Sequence, residues 1–423
     1  MKIAVINKSD SSGGAAVVSR RLTEALRQEG TDARLLVCEK LTNLPFVEKV
    51  ANDFLIRRKF ISERLKIFIA NGFNRSTLFK IDTGSEGLPL WRHPFVKEAD
   101  AIIINWVNQG MLSLKGVRKI LGLGKPVIWT MHDMWCMTGI CHHAGNCRHF
   151  LKECGECPLL GQEASPGDLS NKVWSKKNNL YSDASLMKKM AFVAVSNWLG
   201  EKSSISSLLR KQRVAVIPNA FKISAAEKRP LSKKEKVRIL FGAARIDDPI
   251  KGLDTLNEMS HVIRTEYPDI AANLEIAMFG DIRNPELLND FGLPVVRLGV
   301  LHGEMEVKKA YEDADILLSA SSYETLPGTL VEAQAYGCIP VSFNQGGQAD
   351  IITHSDTGYI APYDSDIATR ARNLSKGVMW ALSVIENKEA LEIICNKMRK
   401  NVETKFSYSK IAREYISLIN RLM

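Results

Sequence analysis

No apolar run in the 423-residue sequence approaches the roughly 18 residues a helix needs to cross a bilayer, which excludes a membrane-spanning helix. No low-complexity tract or short internal repeat is present, so any repetition must be architectural. The apolar part of Met1-Lys2-Ile3-Ala4-Val5-Ile6-Asn7 is too short for a secretory signal and reads as a first strand. The expectation is a cytoplasmic protein whose eight cysteines serve as thiols or metal ligands rather than disulfides. The dinucleotide fingerprint Gly-x-Gly-x-x-Gly is also missing. Gly13-Gly14 stands at the first turn instead, so a nicotinamide cofactor is not indicated.

What is present is a soluble globular composition, 25% charged and 45% hydrophobic, long enough for two domains of about 200 residues each. The net charge of +10 favours an anionic partner. Arg57, Arg58, Lys59, Arg64 and Lys66 crowd the stretch from Phe54 to Phe68, where Phe54, Ile61, Leu65 and Phe68 fall on one helical face. Two readings are open for it: a basic amphipathic helix lying on the inner face of an anionic membrane, or a surface helix packing its apolar stripe on the core.

Strand and helix patterns alternate through the first half. Strand candidates are Lys2–Ile6, Arg34–Cys38, Ala99–Ile104, Pro126–Met131, Ala191–Ser196 and Val214–Ile217, with a helix from Ala15 to Gly30. After the charged segment Lys228–Lys236, the best linker candidate, a second set follows: Val237–Phe241, Leu274–Phe279, Val295–Leu298, Ala314–Ser319 and Ile339–Phe343. Such alternation predicts two doubly wound parallel sheets. The last helix runs from Tyr408 to Met423.

The most informative stretch is Glu324-Thr-Leu-Pro-Gly-Thr-Leu-Val-Glu332, two acids separated by seven residues just after a strand. Pro327 opens a helix that Gly337 closes, so one carboxylate sits on the loop and the other a turn into the helix. Both face the ligand crevice of a parallel sheet. A carboxylate accepts two hydrogen bonds from a vicinal diol, and helix-start amides attract phosphate. Arg245 and Lys251 follow the first strand of the second half, behind Gly242-Ala243-Ala244. There two cations can neutralise a departing diphosphate. Asp247-Asp248 reads as a turn before Pro249 rather than a metal pair.

With Gly13-Gly14, Ile217-Pro218-Asn219 and Gly346-Gly347 in the same order, this pattern resembles the retaining family-4 glycosyltransferases over nearly the whole chain. The resemblance implies the GT-B fold, two Rossmann-like domains facing across a cleft: residues 1–218 for the acceptor, 219–403 for the nucleotide sugar, and a helix, 404–423, returning to the first domain. It implies Glu324, Arg245, Lys251 and His132 as catalytic residues, and Glu332, Gly328, Thr329, Leu330 and Gly242 as donor-binding ones. Gly13 and Gly14 form an acceptor or phosphate loop. It also implies no catalytic metal. His132 has two other readings, a ligand of the neighbouring cysteines or a capping residue. Here the family spacing between Arg and Lys-Gly is lengthened by Ile246–Ile250.

Cys136, Cys141, Cys147, Cys154 and Cys157, with His142, His143 and His149 interleaved, form a Cys-rich insertion at 136–157. Cys154-Gly-Glu-Cys157 has the C-x2-C spacing of zinc knuckles, and Cys141, Cys147, Cys154 and Cys157 are the economical structural zinc set, with Cys136 or a His as substitute. Reduced, unliganded thiols are the competing reading. A similar insertion after His-Asp-Met-Trp occurs in a subgroup of exopolysaccharide and colanic-acid-type glycosyltransferases that the sequence resembles.

The expected partners are a nucleotide-diphosphate sugar and a glycan acceptor, with a lipid-linked oligosaccharide as one candidate. Two alternatives stand beside this reading: a GT-B sugar-nucleotide epimerase or hydrolase, which needs no acceptor, and a zinc-containing nucleic-acid-binding protein. The second would cluster basic and aromatic residues around the cysteines. Glu153 and Glu156 flank the knuckle instead, so no nucleic acid is expected.

Overall fold

The computed structural model describes residues 1–222 and 236–423. Residues 228–235 of the expected linker lie outside the described residues. The chain divides into two compact units, 1–220 with 408–423, and 221–407.

In the first unit seven parallel strands are β1 (Lys2–Ser9), β2 (Asp32–Glu39), β3 (Val47–Lys49), β4 (Ala101–Ile104), β5 (Val127–Met131), β6 (Met190–Ala194) and β7 (Val214–Val216). Their spatial order is β3-β2-β1-β4-β5-β6-β7. β4, β5 and β6 are buried at every position, which is why they read as continuous apolar runs instead of alternating: helices cover both faces. Helix α1 (Gly14–Gln28) buries Leu22, Ala25 and Leu26, and helix α2 (Asp53–Ala70) starts on an Asn52 cap whose side chain accepts the Leu55 amide. The helix Tyr408–Leu422 closes the same core with Ile411, Tyr415 and Ile419, and the Tyr415 hydroxyl lies 2.9 Å from that of Thr130 on β5.

The second unit holds six parallel strands, β8 (Val237–Arg245), β9 (Leu274–Asp281), β10 (Val295–Gly299), β11 (Ile316–Ser319), β12 (Ile339–Phe343) and β13 (Tyr359–Ala361), ordered β10-β9-β8-β11-β12-β13. These are the two Rossmann-like sheets of the GT-B fold. The strand order reverses between β1 and β4 in one sheet and between β8 and β11 in the other. At such a reversal successive crossovers leave in opposite directions and open a crevice beyond the strands' carboxyl ends. No helix among the described residues is long and apolar enough to cross a membrane.

Candidate functional site

In the second unit β8 ends on Arg245 and the chain turns through Asp247-Asp248 into a short turn, Pro249–Lys251. Both acids serve the loop. Asp248 accepts the Ile250 amide at 3.2 Å, and Asp247 accepts those of Arg283 and Asn284 at 2.8 and 3.1 Å. Arg245 lies between them, 3.3 Å from Asp247 and 3.2 Å from Asp248. Gly252 has φ 74°, and a Cβ there would fall 2.2 Å from the Ala320 carbonyl oxygen. Only glycine lets this loop press on the end of β11. The contact continues where the Ser322 amide donates to the Ile250 carbonyl at 2.9 Å. Lys251 is thereby brought onto Glu324, Nζ to Oε1 at 2.5 Å.

The backbone of Glu324 is clamped from the β12 side. Its carbonyl accepts the Gly347 amide at 3.0 Å, and a Cβ on Gly346 would lie 1.7 Å from that oxygen. Four of the motif's parts, Lys251, Glu324, Gly346 and Gly347, therefore meet at the carboxyl ends of three adjacent strands, β8, β11 and β12. The helix Gly328–Tyr336 starts after Pro327 and ends at Gly337, φ 78°. Glu332, one turn in, accepts the Tyr311 hydroxyl at 3.1 Å; Tyr311 is itself buried and stacked on Tyr336. Gly328 and Thr329 open the helix, where amides lack intrahelical acceptors. Leu330 is placed differently: its side chain is wholly buried and its amide donates to the Pro327 carbonyl at 3.2 Å. Gly242 lies inside β8, against the Phe279 ring.

In the first unit Gly13 (φ 87°) caps α1, and Gly13 and Gly14 are both exposed, with open space where a Cβ would project. His132 follows β5. Its Nε2 donates to Asn105 Oδ1 at 2.9 Å, and it lines a small cavity with Thr130, Asn219 and Tyr415. Burial pushes its pKa down to about 4 against the opposing pull of Asp133, so the ring is neutral at neutral pH. His132 is not among the residues around the cysteine cavity.

Beside it runs a buried charge chain that reading the sequence missed. Asp133 accepts from the Trp106 indole at 3.0 Å, the Trp135 amide at 2.7 Å and His142 Nδ1 at 2.7 Å. His142 Nε2 donates to Asp82 at 3.0 Å. Arg64 of α2 pairs with Asp82 and donates to the Leu78 carbonyl at 2.7 Å. Burial alone would lower the His142 pKa, but Asp133 and Asp82 hold it up to about 10, so it is the cation between two carboxylates. With both ring nitrogens on carboxylates and its side chain outside the cysteine cavity, His142 is not placed as the substitute zinc ligand.

The insertion is anchored by Lys177, fully buried, which donates to the carbonyls of Trp135, Thr138 and Gly139 at 2.5, 3.1 and 2.9 Å. Cys141, Cys147, Cys154 and Cys157 line one small cavity, with His149 at its edge, and Cys136 is not part of it. Cys154 Sγ accepts the Gly139 amide at 3.2 Å. The donor chemistry suits zinc, but among the described residues no three His, Cys, Asp or Glu side chains are close enough together to hold an ion.

Residues 236–376 match the family "Glycosyl transferases group 1". The chain is 31% identical to the uncharacterized glycosyltransferase MJ1607 of Methanocaldococcus jannaschii over 35% of its own length and 36% of that protein's. It is 24% identical to WcaC of Escherichia coli, described as a colanic acid biosynthesis glycosyl transferase, over 54% of its own length and 52% of that protein's. The matched stretches thus span well under two thirds of these relatives. Among solved structures, Anabaena Alr3699/HepE in complex with UDP and glucose aligns over all of both chains, with TM-score 0.59 and 14% identity.

Proposed function

We propose that this chain, whose residues 236–376 form a group 1 glycosyl transferase domain, moves a sugar from a nucleoside-diphosphate donor to an acceptor hydroxyl in surface-polysaccharide assembly. The observation that carries the reading is the junction of Lys251 with Glu324 at the β8/β11 reversal, beside Arg245. A diphosphate placed there meets two cations, and a sugar beside it meets a carboxylate able to take two hydroxyls. Glu332 takes the ribose diol, its orientation set by Tyr311. Arg245 and Lys251 stabilise the leaving diphosphate, whose charge grows as the glycosidic bond breaks, and no catalytic metal is required. Gly13, Gly14 and neutral His132 offer the acceptor side. Retention of anomeric configuration, with the leaving phosphate oxygen taking the acceptor proton, rests on the family resemblance. Support for the donor class comes from HepE, solved with UDP and glucose, and for the pathway from WcaC.

Thermal-shift binding with UDP, GDP, ADP, CMP and their sugar conjugates tests this. One nucleoside diphosphate is expected to raise the melting temperature in the wild type and not in Glu332→Ala. No shift with any nucleotide removes the proposal. Full-rate donor conversion without acceptor, in the presence of chelator, assigns the site to epimerisation or hydrolysis instead.

The cysteine cluster is proposed as a structural zinc site, its four sulfurs closing on the ion. The support is the shared cavity and the donor type. Elemental analysis of protein purified without chelator is expected to give about one zinc per chain, since four thiolates complete the tetrahedron of a single ion. Cys154→Ser with Cys157→Ser is expected to lose it. Metal well below that ratio in the wild type leaves the cluster as reduced thiols.

A further inference from the structure

Helix α2 is built inside out. Its outward stripe is Phe54, Ile61, Leu65 and Ile69, which are 77, 49, 54 and 56% exposed, and Phe73, 65% exposed, extends it past the helix end. At 100° per residue these helical positions lie within one narrow sector, and at 1.5 Å per residue the stripe is about 22 Å long. The inward face carries Ile56 and Ile67 but also Glu63 and Arg64, both buried. Glu63 accepts the Gly110 amide at 2.6 Å and the Thr83 hydroxyl at 3.0 Å, while Arg64 is committed to the Leu78 carbonyl and to Asp82. Rolling the helix to bury its apolar stripe would strip both charges of these partners, which costs more than the stripe gains. The reading of this segment as a surface helix packing its apolar stripe on the core is therefore corrected. The stripe faces solvent and is held there.

Its charge surroundings identify what it meets. Arg57 and Arg58, both exposed, lie along the stripe, and the loop after the helix adds exposed Arg75 and Lys80. The acids nearby are already matched: Asp53 by Lys49, and Glu86 by Lys59 and Lys66. An apolar ridge flanked by unneutralised guanidinium groups fits a surface that is anionic at the headgroups and apolar just beneath them. We propose that α2 and Phe73 seat this unit in the interface of an anionic phospholipid bilayer, with Phe54, Leu65 and Phe73 as the inserted side chains. The inference does not rest on the sugar-transfer reading.

Co-sedimentation with vesicles tests it, using phosphatidylcholine alone and phosphatidylcholine mixed with phosphatidylglycerol, at low and high salt. The wild type is expected to sediment with the mixed vesicles at low salt and to be released by high salt. Phe54→Ser with Leu65→Ser changes only exposed positions, so melting is expected to stay as in the wild type while vesicle binding falls tenfold or more, on the order expected for two inserted apolar side chains. Arg57→Glu with Arg58→Glu is expected to weaken binding to mixed vesicles by at least about fivefold per charge removed. Failure of the wild type to sediment, undiminished binding by Phe54→Ser with Leu65→Ser, or a size-exclusion dimer that this pair dissociates, would each overturn the proposal. The last outcome assigns the stripe to a second copy of the chain.

Discussion

Arg245→Ala is expected to lower the transfer rate by about 10²–10³-fold, the loss typical when one preorganised charge donor is removed from a developing anion. The arrangement of the resting site says why the effect falls on rate. Arg245 is matched by Asp247 and Asp248, and Lys251 by Glu324. On the proposed reading both cations share these acids with a diphosphate in the donor complex, so ground-state binding gains little from either. Once the sugar leaves, the diphosphate carries a further full charge, and the cations serve that state selectively. Steady-state kinetics of Arg245→Ala should therefore show kcat and kcat/KM falling together with KM within a few-fold. Arg245→Lys should recover part of the rate, since a point charge replaces a planar fork. A rise in KM at unchanged kcat would mean that Arg245 only binds the donor.

The local pattern made these residues legible, and the pairing among them was not. Alternating strand and helix signals gave the sheets, because a parallel strand covered on both faces must be apolar throughout. The strand–loop–helix context located Glu324 and Glu332, and position after β8 located Arg245 and Lys251. That Lys251 rests on Glu324, 73 residues away, depends on β8 lying beside β11 and on Gly252 letting the loop approach Ala320. No window of sequence contains that information. The same holds for Leu330, whose buried side chain follows from packing that a motif does not record. For α2, helical spacing put Phe54, Ile61, Leu65 and Phe68 on one face; the first three are exposed together and Phe68 is half-buried. Which face turned inward was decided elsewhere, by carboxylate, hydroxyl and amide partners at residues 82, 83 and 110. The adjacent acid and base opposite the stripe, Glu63-Arg64, were the available signal.

Those inward charges carry the second large effect. Arg64→Met is expected to destabilise the first unit by about 3 kcal/mol, the lower end of what breaking a buried ion pair costs. Asp82 loses its guanidinium but keeps His142 and the Gln109 amide, which donates at 3.2 Å, so the carboxylate is under-compensated rather than isolated. For a unit of this size the loss corresponds to a fall of roughly 6–12 °C in its melting temperature by differential scanning calorimetry. The double variant Arg64→Met with Asp82→Asn removes the uncompensated charge together with its partner, and should melt above Arg64→Met alone. If both variants melt alike, the cost of losing Arg64 lies in its carbonyl contacts to Leu78 and Ile81, not in the charge chain. If Arg64→Met melts like the wild type, Glu63 and its amide contact hold α2 unaided, and the chain from Arg64 to His142 has no part in fixing which face of the helix meets solvent.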